Sequence, residues 1–210
     1  MFILNLLFHF FYTVKCYNVC VVGGSSGLGK ELIYQSLNKN KTVLALTSGK
    51  NPITIPCRIN SFNENNNMPI LEDSNLTKDN YWKKIMDYKY ENLIFTTSAK
   101  PFEQDYSDIL FCKIMDYIPS TCKNVAVVSA YGAGESLNGA NIGINIMNNW
   151  YLKDVYRSKN TQEMLLKTKY KNLPIHTFLY RPKALSYGKT NIKSVSRMDL
   201  ANEILTDLKI

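Results

Sequence analysis

Beyond Tyr17 the chain alternates short apolar runs with stretches of helical periodicity, the pattern of a parallel sheet wound with helices. Asn18–Val22 is a β-branched run that stops at a cluster of glycines. Lys30–Leu37 then sets Leu32, Ile33 and Leu37 at helical spacing, and Thr42–Leu46 reads as the next strand. Ile53, Ile55, Cys57 and Ile59 alternate as in a strand, before the loop Asn63–Asn67. Thr77 can cap a helix reaching Tyr88. Leu93–Thr97 and Val125–Ser129 are buried strands, with a helix over Ser107–Ile118 between them. The glycine-rich stretch Gly132–Gly143 precedes the longest helical pattern, Trp150–Thr168. Ile175–Tyr180 is a last strand, closed by Arg181-Pro182, and a final helix over Arg197–Leu208 carries Leu200, Ile204 and Leu208 on one face. No repeat and no linker interrupts the series. The expectation is one α/β domain over residues 17–210, a Rossmann-like doubly wound parallel sheet with helices on both faces.

Residues 1–16 stand apart. Met1–Val14 is almost wholly apolar and too short to span a bilayer as a helix. It reads either as the core of a secretory signal, with Val14-Lys15-Cys16 at a cleavage position, or as an apolar extension packed on the domain. No Lys or Arg precedes it, which weakens the signal reading. The site of action is accordingly cytoplasmic, or secretory or organellar if the segment is a signal.

Composition narrows the chemistry. The 210 residues hold 45% hydrophobic and 20% charged side chains, as in ordinary globular domains, which argues against disorder and multi-span membrane architectures. A net charge of +8 invites a nucleic-acid reading, but the lysines are scattered, with only doublets such as Lys83-Lys84 and no arginine stripe. The excess therefore fits a basic surface that favours anionic small molecules. Five cysteines, without a C-x-x-C spacing, and two histidines do not supply a zinc ligand set.

The informative segment is Val21-Val22-Gly23-Gly24-Ser25-Ser26-Gly27-Leu28-Gly29-Lys30, placed between the first strand and the first helix. There glycine spacing has a mechanism. Gly23 permits the tight turn, Gly27 lets backbone N–H groups approach a pyrophosphate, and Gly29 lets helix and strand pack closely. Ser25, Ser26 and Leu28 complete the loop, and the helix N-terminus turns its partial positive charge to the phosphates. The G-x-x-x-G-x-G spacing differs from G-x-G-x-x-G and lacks the Lys-Ser/Thr ending of a P-loop.

This loop resembles that of the short-chain dehydrogenase/reductase superfamily. Later segments resemble its atypical, NmrA-like branch, which includes small NADPH-dependent flavin and biliverdin reductases. The segments are Val125–Ser136, the pair Lys159 and Glu163 in a K-x-x-x-E helix, the Arg181-Pro182 turn, and Val195–Ala201. The resemblance implies a nicotinamide cofactor, with Ser129 and Lys159 at the active site, Lys159 also holding the nicotinamide ribose hydroxyls, and Tyr156 as a candidate proton donor. Thr97 and Ser98, ending the fourth strand, are expected beside that ribose because ligands of open α/β sheets sit at strand carboxyl ends. Two positions depart from it. The superfamily's Tyr-x-x-x-Lys dyad has Val155 in the tyrosine position, leaving Tyr156 three residues before Lys159. The end of the second strand lacks the acid that binds a ribose 2′-OH. Thr47-Ser48-Gly49-Lys50 stands there, and its hydroxyls and cation suit the 2′-phosphate of NADP over NAD. Asp73 or Asn60 is placed to bond the adenine edge.

Two functions fit these residues. One is an NADPH-dependent oxidoreductase acting on a small flat acceptor, flavin- or quinone-like, that takes its proton from water. The other is a non-catalytic NADP(H) sensor or scaffold, favoured by the incomplete dyad. Neither requires a metal, a nucleic acid or a membrane span, and the pattern does not specify an oligomeric state.

Overall fold

A computed structural model describes residues 16–47, 53, 70–72, 88–98, 105–139, 143, 146–183, 185–186 and 195–210. Its elements run β1 (Cys16–Val22), α1 (Gly27–Asn38), β2 (Val43–Thr47), β3 (Ile70–Glu72), β4 (Lys89–Phe95), α2 (Ser107–Asp116) and β5 (Asn124–Val128). A 3₁₀ turn (Gly134–Gly139) and a π turn (Met147–Tyr151) lead into α3 (Lys153–Lys167). Then follow β6 (His176–Tyr180), the short strands β7 (Leu185–Ser186) and β8 (Val195–Ser196), and α4 (Arg197–Asp207).

Six strands form one sheet in the order β3-β2-β1-β4-β5-β6, with every pairing parallel. The order reverses between β1 and β4, so a crevice opens there at the strands' carboxyl ends. Alternation along β1 divides the core. Cys20 and Val22 face a layer that includes Phe95, Phe111, Ile114 and Leu166, while Val19 and Val21 face Leu32, Ile33, Leu200 and Ile204. Thus α2 and α3 cover one face and α1 and α4 the other. Each fully buried Leu or Ile in these layers contributes about 1.5–3 kcal/mol of transfer free energy.

The expected doubly wound sheet is present, with differences in detail. β1 begins at Cys16, one residue before the boundary drawn from the pattern. The long helical pattern from Trp150 opens instead with the π turn, and the α-helix starts at Lys153. β3 lies at Ile70–Glu72, a run too short to give a periodic signal, and the β7–β8 ladder pairs only Leu185 with Val195 and Ser186 with Ser196. The N-terminal apolar stretch, the alternating segment after Ile53 and the helix expected from Thr77 lie outside the described residues.

Candidate functional site

The glycine loop joins β1 to α1 at the crevice. Gly23 adopts φ +86°, in the region that favours glycine. A Cβ there would stand 2.8 Å from Thr96 Oγ1 and 3.0 Å from Thr97 Cγ2, so the loop is pressed against the end of β4. A Cβ on Gly29 would collide with the carbonyl oxygen of Gly23, which is the close helix–strand approach assigned to this glycine. Ser26 caps α1: its Oγ accepts the Gly29 N–H at 2.9 Å and lies 3.4 Å from Thr96 Oγ1. Leu28 is buried in the core, so its backbone rather than its side chain is available to a ligand. Ser25 is half-buried in the turn. Among the described residues, the N–H groups of Ser25, Gly27 and Leu28 have no hydrogen-bond acceptor. The loop thus offers polarised donors and the positive end of a helix dipole at one place.

Across the crevice, Thr97 follows β4. Its hydroxyl is buried and has no partner among the described residues. Its carbonyl oxygen accepts from Lys159 Nζ at 2.7 Å, and the same ammonium donates to Val128 O at 2.9 Å and Gln162 Oε1 at 3.5 Å. Lys159 is only 3% exposed. Burial pulls its pKa down to about 8, and the charges of Asp105 and Glu163 act the other way. Lys159 therefore clamps together the carboxyl ends of β4 and β5, with its three protons directed at protein acceptors. Ser98 lies exposed just beyond Thr97.

Tyr156 points elsewhere. Its hydroxyl donates to Tyr131 O at 3.0 Å, and burial raises its pKa. The hydroxyl thus ties α3 to the loop after β5.

Ser129, the first residue beyond β5, donates to Glu163 Oε1 at 2.6 Å. Glu163 is 2% exposed and is held by Arg181, whose Nε reaches Oε1 at 3.1 Å and whose Nη2 reaches Oε2 at 2.6 Å. This forked contact is a charge-assisted pair. Gly134, at φ +52°, lies so close that a Cβ would strike the Glu163 carboxylate. Three motifs separate in sequence, the β5 loop, the K-x-x-x-E helix and the R-P turn, therefore meet in one network.

Sequence reasoning missed Asp105. It is buried, its Oδ1 accepts the Ser107 N–H at 2.8 Å, and its carbonyl oxygen accepts from Ser158 Oγ at 3.1 Å. Its Oδ2 has no partner among the described residues. The one available signal was a buried helix face carrying Ser158, Lys159, Gln162 and Glu163, which needs polar partners. Ser48, Lys50 and Asp73 lie outside the described residues. Among those described, no group of acidic, cysteine and histidine side chains is arranged to hold a metal, and no helix is long and apolar enough to cross a membrane. Two open grooves of about 360 and 460 Å³ lie at the amino ends of β5 and β6, lined in part by Tyr170 and Thr177 and by Asn124 and His176, away from the glycine loop.

Sheet order, glycine loop and capped first helix define a doubly wound, Rossmann-type fold. It is the fold of the NAD(P)-binding short-chain dehydrogenase/reductase-like proteins. ChuY of Escherichia coli, an anaerobillin reductase, is similar at TM-score 0.65 and 15% identity, over 92% of this chain and 91% of that one. WbmH of Bordetella bronchiseptica, solved with NAD+, is similar at TM-score 0.60 and 13% identity, over 93% of this chain and 73% of that one. A short-chain dehydrogenase/reductase from Vibrio parahaemolyticus is similar at TM-score 0.60 and 15% identity, over 90% and 91%. No protein-family profile and no curated protein sequence matches the chain.

Proposed function

We propose that the chain is an NADP(H)-dependent oxidoreductase that reduces a small flat acceptor. The observation that carries this reading is the cradle between β1 and α1, where Gly23 and Gly29 leave room for no side chain and the N–H groups of Ser25, Gly27 and Leu28 have no acceptor among the described residues. Such a cradle fits a pyrophosphate. The Thr97 hydroxyl, without a partner among the described residues, adds a polar atom at the same crevice. The nicotinamide, when bound, supplies a hydride. The protein's part is then to orient cofactor and acceptor, with backbone N–H groups of the loop on the pyrophosphate and Thr97 and Ser98 flanking the nicotinamide half. Lys159 positions Thr97 by holding its carbonyl. Ser48 and Lys50, with no acid in their segment, favour the 2′-phosphate. The likeness to a reductase such as ChuY supports the class of reaction.

A second reading, an NADP(H)-binding module without turnover, is favoured by Tyr156, whose hydroxyl is engaged with Tyr131. Calorimetric titration with NADPH and NADH, followed by NADPH oxidation assays with flavins and quinones, tests both. NADPH is expected to bind more tightly, and Lys50→Ala to weaken it selectively by roughly tenfold or more, the size of a charge-assisted contact. Tighter NADH binding would refute the cofactor assignment. Tight NADPH binding with no turnover of either acceptor would favour the module.

A further inference from the structure

The six-stranded sheet ends at β6. The His176 N–H donates to Lys123 O and the Tyr180 carbonyl accepts from the Ser129 N–H, both at 2.8 Å. Alternate residues of a parallel strand turn both backbone groups to the same neighbour, so His176, Phe178 and Tyr180 serve β5. Thr177 and Leu179 turn their N–H and C=O groups outward, where no strand among the described residues pairs with them. Thr177 is exposed and Leu179 half-buried. The strand has no lysine, no proline and no bulge, the usual devices that blunt a sheet edge.

A groove lies beside this edge on each face of the sheet. Ile175 and Thr177 border the groove of about 360 Å³, with Leu166 and Tyr170 at and beyond the end of α3. His176 and Phe178 border the groove of about 460 Å³, with Leu208 at the end of α4. A strand added beside β6 would therefore lay successive side chains alternately toward the two grooves. Their polar lining is basic. Lys167 and Lys171 line the first and Lys123 and Lys209 the second, against one acid, Asp207, which accepts from the Tyr180 hydroxyl at 2.6 Å. Lys171 and Lys209 have no ion pair among the described residues.

We propose that β6 is a docking edge for an extended, acidic segment of a partner protein, which adds to the sheet as a further strand. The backbone groups of Thr177 and Leu179 supply the pairing, and the lysines on both faces select acidic over basic side chains. A second copy of this chain is the poorer occupant. Two β6 edges brought together would set lysines against lysines, on molecules that each carry a net charge of +8. A nucleic acid would meet the lysines but make no use of the strand edge.

Fluorescence anisotropy with labelled, blocked peptides tests the proposal. The probe is the peptide E-E-V-T-V-E-E. Its counterparts are K-K-V-T-V-K-K and an acidic peptide N-methylated at its three central residues, which cannot pair. The wild-type protein is expected to bind the probe at least about tenfold more tightly than either counterpart, the worth of two or more hydrogen bonds or of the charge contacts. Thr177→Pro removes an outward N–H at an edge position, where proline is tolerated, and should weaken the probe similarly. The double variant Lys171→Glu, Lys209→Glu changes only exposed side chains and should reverse the preference toward the lysine peptide. Circular dichroism establishes that both variants are folded. If the proline variant is not, the charge-reversed protein and the N-methylated peptide still decide. No binding of the probe at about 1 mM, or equal binding of the N-methylated peptide, would overturn the inference. So would equally tight binding of oligothymidylate with the same four negative charges. Self-association of the wild type in sedimentation, abolished in a folded Thr177→Pro, would assign the edge to a second copy and overturn it as well.

Discussion

The two glycines of the loop differ in what a side chain would meet, and the difference separates binding from folding. Gly29 touches the Gly23 carbonyl, a backbone atom that cannot swing aside. Gly29→Ala is therefore expected to cost about 1–3 kcal/mol, the range for forcing an extra carbon into a filled site, and to lower the urea midpoint. Gly27 is half-exposed in the first turn of α1, so Gly27→Val should keep the circular dichroism spectrum of the wild type while losing NADPH binding. A valine variant that still binds would place the cofactor elsewhere. Lys159 provides a pH-dependent test at the same scale. Its folded-state pKa of about 8 lies below the ordinary 10.5, so between these values the unfolded chain holds more protons than the folded one. Stability from this group then rises with pH across that window and is lowest below it, where both states are charged. Urea midpoints at successive pH values should climb more steeply for the wild type than for Lys159→Met. Parallel curves would mean that the ammonium is not buried as described.

Among the elements, α3 carries most of the polar interior, and its ties differ in worth. The Arg181–Glu163 pair joins it to the end of β6 with the carboxylate buried and the guanidinium partly exposed, so Arg181→Met, which strands a buried carboxylate, is expected to cost about 3 kcal/mol. Lys169→Ala breaks an ion pair with Asp116 in which both side chains are half-exposed, and should change the melting temperature little. Differential scanning calorimetry of the two variants measures the contrast. The legibility of the elements follows the same physics. β1, β2 and β5 were readable because buried parallel strands are continuous apolar runs, and α1 and α4 because each presents an apolar stripe; of β4 only Leu93–Phe95 was, since its first half, Lys89–Asn92, carries Lys, Glu and Asn. β3 was not, since three residues carry no period. The beginning of α3 was misplaced because apolar residues of the π turn, such as Trp150, imitate the stripe of the helix they precede.

At the scale of the molecule, motif order along the chain was enough to indicate the doubly wound sheet, whereas the site network was legible only as unconnected pieces. Lys159, Glu163 and Arg181 were each visible, but pairing Glu163 with Ser129 and Arg181 depends on where β5 and β6 end side by side. Asp105 escaped because an isolated acid before a helix reads as a cap. The polar face of α3 also bears on how the chain reaches this arrangement. Ser158, Lys159, Gln162 and Glu163 find their partners on Asp105, Ser107, Thr97, Val128, Ser129 and Arg181, segments that come together only when β4, β5 and β6 are in register. A slip of the helix by one residue would strand these groups in a dry interior, whereas an oily helix could settle in several positions. The helix thus works as a key that turns only in a finished lock, and its docking belongs to the downhill side of the folding barrier. Gln162→Ala should accordingly speed unfolding in stopped-flow experiments and leave the refolding rate close to that of the wild type. A slowed refolding limb would place α3 in the nucleus instead, with the strands aligning around it.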